Sequence, residues 1–445
     1  MWAPALGLLL ALQASPGESL LGRADQAIQA RDLESGEKLL LEFLNEANHS
    51  GEAYAEAGAL LLSAGYAEKA QTHFKAGIKE DPRLDVNYLG LIQALQALGE
   101  EERARQAVRS GLEALPGHPA LAAEMARMEA DAGDFQRAIS VLESVAVENR
   151  GARFWEMLGR LYLTVDDDQN SFRAYRQALE LDSKSISVLR ALAGLALKRE
   201  DSEEAWNYIA QARRLAPNSP QVLYDFAQVS IAANLPTEAV TALRLLLLLE
   251  PDEPYYQLAL GRALLHSDDH RDAHRSLRRY VDAHPEDADA RTLFGFSLYL
   301  VNDYEEALHQ FSRALELDPE QLDAVYYQAM IAYSRAEDER AEELFRELLR
   351  RAPNHGEAHL NLAKLYFRQD RAEEARVNLE KAAHLIPQEP DVHFQMSRLY
   401  ARAGDREKAG LAIQRYRELK AARERRDAEA RRQPFTFPEP PDGLE

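Results

Sequence analysis

The nonapeptide His266-Ser-Asp-Asp-His-Arg-Asp-Ala-His274 sets three histidines at intervals of four among three aspartates. Imidazole nitrogens and carboxylates are the ligands of zinc and of other divalent cations, so this stretch is the first candidate for metal chemistry. A second acidic stretch, Asp166-Asp-Asp-Gln-Asn170, spaces Asp166, Asp168 and Asn170 like the opening of a calcium loop. The match ends there, because the place that needs glycine is Ser171 and the place that needs a bidentate glutamate is Gln177. The chain has no cysteine, which removes thiolate metal sites, disulfides, cysteine nucleophiles and lipid-modified cysteine. No HExxH helix, phosphate-cradling glycine loop, dinucleotide fingerprint or nucleophile elbow occurs.

The totals narrow the function further. Of 445 residues, 46% are hydrophobic and 29% charged, and the formal net charge is −21. Nucleic acid is therefore not the expected main partner, since phosphate binding needs a basic footprint. The start, MWAPALGLLLALQASPGES, has an apolar run from Ala5 to Leu12 followed by the small residues Ala14, Ser15 and Gly17. It suggests a secretory signal over residues 1–17 and an exported, periplasmic protein; the alternative is a cytoplasmic protein whose first helix begins here. The run is too short to span a bilayer, and the next apolar run, Leu245 to Leu249, is five leucines, so no membrane span is expected.

The elements that position these residues are set by an internal repeat. Prolines stand at 217, 251, 285, 319, 353 and 387, each 34 residues after the last, and Pro82 and Pro116 share that interval. A fixed period of this size is the mark of a solenoid whose units stack only on their neighbours. With the proline numbered place 32 of each unit, place 20 is small in all twelve units, from Gly36 and Ala70 through Ser171 to Ala375 and Ala409. Place 8 is small in all but one, as in Gly58, Gly159, Gly261 and Gly295, the exception being Ile92. Two helices of a hairpin nest only where neither carries bulk at the crossing. The phase slips by one residue in the fourth unit, and the deletion is expected in the turn Asn149-Arg150-Gly151, tightened by its glycine.

Unit five, RFWEMLGRLYLTVDDDQNSFRAYRQALELDS, shows the pattern best: Trp155, Leu158, Gly159 and Tyr162 in one helix, Tyr175 and Ala178 in the next. It resembles the tetratricopeptide repeat, and the chain looks like a bacterial-type protein built of such repeats alone. The resemblance implies an all-α fold, an α-solenoid of about twelve helix-turn-helix repeats wound into a right-handed superhelix. The array is expected over 18–421, with units ending near 48, 82, 116, 150, 183, 217, 251, 285, 319, 353, 387 and 421. A charged capping helix follows at 422–433 and a proline-rich flexible tail at 434–445.

In this family, places 2, 5, 9, 12 and 13 of the first helices line the concave wall. Carried over place by place, the wall holds Arg127, Arg160 and Arg190 in units four to six. Tyr224, Tyr255, Arg262, Phe296, Tyr299, Tyr326 and Tyr333 follow in units seven to ten. Lys364, Arg368 and Arg398 follow in units eleven and twelve. That is a basic stretch, an aromatic stretch and a second basic stretch. Arginine and aromatic side chains carry much of the energy at protein interfaces. The resemblance thus implies a non-catalytic scaffold that holds a partner protein or peptide with acidic and apolar residues in its groove, with no cofactor. Two other readings stay open: an accessory subunit of an enzyme or of envelope or polysaccharide assembly machinery, and a protein presenting a ligand or metal. A subgroup of the family grips C-terminal carboxylates with Lys and Asn. Asn361 stands near such a place, but Tyr326 and Met330 fill the partnering places, so that mode is not expected. In the same frame His266 ends a first helix, Asp268 and Asp269 fill a turn, and His270 and His274 lie on a second helix. The frame turns an apparent metal site into a hairpin turn.

Overall fold

The computed structural model describes residues 19–267 and 269–432. The expected signal segment, Asp268 and the tail at 434–445 lie outside them. The chain forms two bodies, divided after Pro217. The first holds α1 (Leu20–Gln29), α2 (Leu33–Glu46), α3 (Gly51–Ser63), α4 (Ala67–Glu80), α5 (Asp85–Ala97), α6 (Glu101–Ala114), α7 (Pro119–Asp131), α8 (Phe135–Glu143), α9 (Ala152–Thr164), α10 (Asp168–Leu181), α11 (Ile186–Lys198) and α12 (Ser202–Leu215). The second holds α13 (Pro220–Ala232), α14 (Pro236–Leu249), α15 (Pro254–His266), α16 (His270–Ala283), α17 (Ala288–Leu300), α18 (Tyr304–Leu317), α19 (Leu322–Ser334), α20 (Asp338–Arg351), α21 (Gly356–Arg368), α22 (Ala372–Leu385), α23 (Pro390–Arg402) and α24 (Arg406–Arg432). Odd and even helices pair as hairpins, and within each body successive hairpins stack: an all-α solenoid of repeats. Among the described residues no helix is long and apolar enough to cross a membrane.

The hairpin turn has one construction. The residue at place 15 takes a left-handed conformation in each unit where it is described: glycine at 65, 99, 133 and 404, and Arg31, Asp166, Glu200, Asn234, Asn302, Ala336 and Asp370 at φ between 57 and 66°. That residue lets the next N–H reach back five residues, as Tyr66 N donates to Leu61 O at 2.9 Å, closing the orphan carbonyls of the first helix. In five units the following residue also caps the second helix with its side chain. Asp32, Asp134, Asp167, Asp201 and Asp405 accept the N–H three residues on, at 3.0 to 3.1 Å. The calcium-loop look of Asp166–Asn170 is this device: Asp166 makes the left-handed turn, Asp167 caps, and Asp168 pairs with Lys198 at 3.0 Å. Ala336 has a Cβ in a conformation that strains it. Ala336→Gly should therefore stabilise the second body by about 1 kcal/mol, read as a higher urea midpoint.

The small residues have distinct partners. The Cβ built on Gly58, Gly159, Gly261 or Gly295 would lie under 3.0 Å from Phe74, Tyr175, Leu277 or Phe311, each at place 24 of the same hairpin. Ile92, the exception at place 8, faces a hairpin whose place 24 is the smaller Val108. Ser171, at the small place 20, buries its hydroxyl and donates to Gly159 O at 2.7 Å.

The phase slip is built differently from the expectation. The deletion does not shorten the turn alone: α8 stops at Glu143, well before its counterparts, and a 3-10 turn at Val147–Asn149 follows. Arg150 replaces the missing helical N–H groups, donating from Nε and Nη2 to Val145 O at 3.0 and 2.8 Å and from Nη2 to Glu143 O at 2.9 Å. Gly151 has φ −78° and open space around it, so glycine is not required there. The charged stretch 422–432 is the continuation of α24, unbroken from the last hairpin.

Candidate peptide-binding wall

The wall residues of the first body are engaged. Arg127 is clamped along its own helix, to Glu124 at 3.0 Å and Asp131 at 2.8 Å. Arg160 is exposed and Arg190 half-buried, and both take part in further interactions. The second body groups its wall residues into three clusters.

The first cluster is Tyr224, Tyr255 and Arg262. The Tyr255 ring lies 5.9 Å from that of Tyr224, and the Tyr256 ring lies 6.0 Å from Tyr224. Burial holds the Tyr224 hydroxyl well above the usual phenol range, and the hydrogen bond with Tyr255 adds to it. Tyr255 itself remains 47% exposed. Arg262, two turns further along α15, is exposed and forms no ion pair among the described residues.

The second cluster is centred on Tyr327, a residue that the wall places did not point to. Its ring lies 4.7 Å from Phe296, 5.5 Å from Tyr299 and 5.2 Å from Tyr326, and it stacks on Phe311 at 5.8 Å. Tyr304 closes the cluster 5.8 Å from Tyr299. Burial pushes the Tyr327 hydroxyl up to about 12. The available signal was its place: place 6 abuts place 24 of the unit before, where Phe311 stands.

The third cluster is consumed by the scaffold. Tyr326 stacks on His355 at 5.1 Å, and its hydroxyl accepts from Asn361 Nδ2 at 3.0 Å. Lys364 donates to Asn361 Oδ1 at 3.3 Å and pairs with Asp391. Asn361 is therefore occupied by its neighbours. Arg368 lies 4.3 Å over the Tyr333 ring and pairs with Asp338 of the preceding hairpin. Arg402 pairs likewise with Asp370, and Lys198 in the first body with Asp168. Place 13 thus ties each of these hairpins to the acidic turn of the one before it. The second basic stretch expected on the wall is in large part neutralised by these pairs, because residues at the helix end lie beside the preceding turn. Arg398 differs: it donates to Gln395 at 3.1 Å, lies 5.6 Å over Phe367, and has no carboxylate partner among the described residues.

Residues 112–299 match a tetratricopeptide repeat family model, and 297–354 and 339–377 match two more of the same description. The chain is a tetratricopeptide repeat protein. Repeats of this family are generally non-catalytic, and this tetratricopeptide repeat protein is a scaffold for protein–protein interaction. Comparison with curated proteins finds no match. Similar solved structures include YrrB, described as a TPR protein with an unusual peptide-binding site. It is 20% identical, covering 44% of this chain and 97% of that one at a TM-score of 0.38. A tetratricopeptide repeat protein from Parabacteroides merdae is 16% identical, over 56% of this chain and 99% of that one, at a TM-score of 0.42. Yeast Tom70 is 16% identical, over 92% of this chain and 97% of that one, at a TM-score of 0.37.

In this tetratricopeptide repeat protein the described residues of the histidine-rich nonapeptide belong to the facing ends of the two helices of one hairpin, α15 and α16. His266 ends α15 with Nδ1 2.9 Å from Arg262 O, and Asp269 precedes α16. Asp272 pairs with Arg244 at 2.9 Å and Arg275 at 3.3 Å, and the Nδ1 atoms of His270 and His274 are buried. Among the described residues no group of three or more histidine and acidic side chains is placed to hold a metal ion.

Proposed function

We propose that the wall built by the first helices of the second body binds an extended or helical partner segment carrying apolar and acidic side chains. The observation that carries this reading is the pairing of Tyr255 with Arg262. Tyr255 is braced by Tyr224 yet 47% exposed, and Arg262 on the same helix has no acidic partner among the described residues. A braced aromatic gives contact area at little entropic cost, and an unpaired guanidinium can take a carboxylate in a bidentate grip. The Phe296–Tyr299 surface next along extends the apolar part. The test is affinity capture from the native host with mass spectrometry, using wild-type protein and Arg262→Glu. A genuine groove partner is retained by the wild type and lost, or at least tenfold depleted, on the charge reversal. Equal recovery on both would sink the reading.

A further inference from the structure

We propose that the segment following α24, residues 433–445, docks on the last hairpin of its own chain, over Phe394 and Arg398. The inference stands apart from partner capture at Tyr255, since it concerns a different hairpin and a ligand within the chain.

The surface has an exposed aromatic and two cations that have no carboxylate partner among the described residues. Phe394 is 36% exposed, with its ring 5.3 Å from that of Tyr416 on α24. Arg398, one turn on, has no carboxylate partner among the described residues. Lys420 is exposed, with its ammonium 5.9 Å over the Tyr416 ring, and it too has no acidic partner among the described residues. The helix that carries Tyr416 and Lys420 is rich in Lys and Arg, the reverse of the chain's formal net charge of −21.

The segment has the complementary chemistry. Its sequence, QPFTFPEPPDGLE, brings Phe435, Phe437 and Leu444 together with Glu439, Asp442 and Glu445, and no basic residue. Its prolines favour an extended chain that loses little entropy on docking. The lengths agree. From Tyr416 to Arg432 the helix rises roughly 24 Å, and thirteen extended residues reach up to about 43 Å. A chain turning back at the end of α24 therefore brings the stretch Phe437–Asp442 level with Tyr416 and Phe394. There the aromatic and proline rings meet Phe394, and Glu439 and Asp442 meet Lys420 and Arg398.

The test uses a fluorescently labelled peptide of residues 433–445 and two forms of the protein, the full chain and a chain ending at Arg432. The peptide should bind the shortened chain and bind the full chain at least tenfold more weakly, because the tethered segment competes at an effective concentration near the millimolar range. Phe394→Ala and Arg398→Glu in the shortened chain should each weaken peptide binding at least fivefold with helix content unchanged. Phe437→Ser with Glu439→Lys in the full chain leaves every hairpin intact and should restore peptide binding to the level of the shortened chain. Equal binding to full and shortened chains, or none to either, overturns the proposal. A concentration-dependent dimer that the shortening abolishes would assign the segment to a second copy and overturn it as well.

Discussion

Gly90→Ala destabilises the first body by about 3 kcal/mol, although alanine is the better helix former. Phe74 is fully packed, and its ring lies between Gly58 of its own hairpin and Gly90 of the next. A Cβ on Gly90 would stand 2.2 Å from Phe74 Cε1, so the ring or the neighbouring helix must shift. Neither has room, because α4 packs on α3 and on α5. Phe74→Val removes the ring, as Val108 already stands at that place in the following hairpin, and in that background Gly90→Ala should cost under about 1 kcal/mol. Gly194→Ala is the contrast: its Cβ meets nothing within 4 Å, so the change should stabilise α11 by about 1 kcal/mol. Repeat arrays lose neighbouring units in sections, so amide exchange in α4 to α6 is the sharper readout beside the urea midpoint. Equal costs of Gly90→Ala in the wild type and in the Phe74→Val background would show that the ring does not set the constraint.

Tyr255→Ala is expected to weaken partner binding by roughly 30-fold while leaving the fold intact. A well-placed interface aromatic is worth about 2 kcal/mol, and 1.4 kcal/mol is tenfold in affinity. Its exposed ring can be removed at small cost to the fold, under about 1 kcal/mol. Tyr326→Ala should behave in the opposite way. Its loss strips a hydrogen bond from Asn361, which is 6% exposed, and the stack on His355. The expected cost is about 2–3 kcal/mol of stability. Binding isotherms and thermal unfolding of the two variants separate the cases. If Tyr255→Ala binds as the wild type does, the exposed tyrosine is ordinary surface and the groove reading loses its anchor.

The contrast between these two tyrosines shows where sequence reasoning stops. Both stand at wall places, 2 and 5, and both are aromatic. Their difference comes from what the adjacent hairpin offers: Tyr326 meets His355 and Asn361, whereas Tyr255 has Tyr224 on one side and solvent on the other. The same holds for the cations. Lys364, Arg368 and Arg402 look alike as a basic stretch, yet Asp391, Asp338 and Asp370 neutralise them from neighbouring hairpins. Tyr327 was invisible as a centre because place 6 points between units, and its importance depends on Phe311 standing across from it.

The period of 34, the small places 8 and 20 and the closing proline were determined by the sequence alone, because close helix crossing and chain reversal are local demands repeated in every unit. They made the hairpins, the turn over the histidines and the tetratricopeptide resemblance legible without coordinates. Tertiary structure alone decided which wall residues remain available. It also decided how α8 absorbs the missing residue and which cations are already paired. Those outcomes depend on side chains brought together from different hairpins, and a residue's own place in the repeat does not encode the identity of its neighbour across the stack.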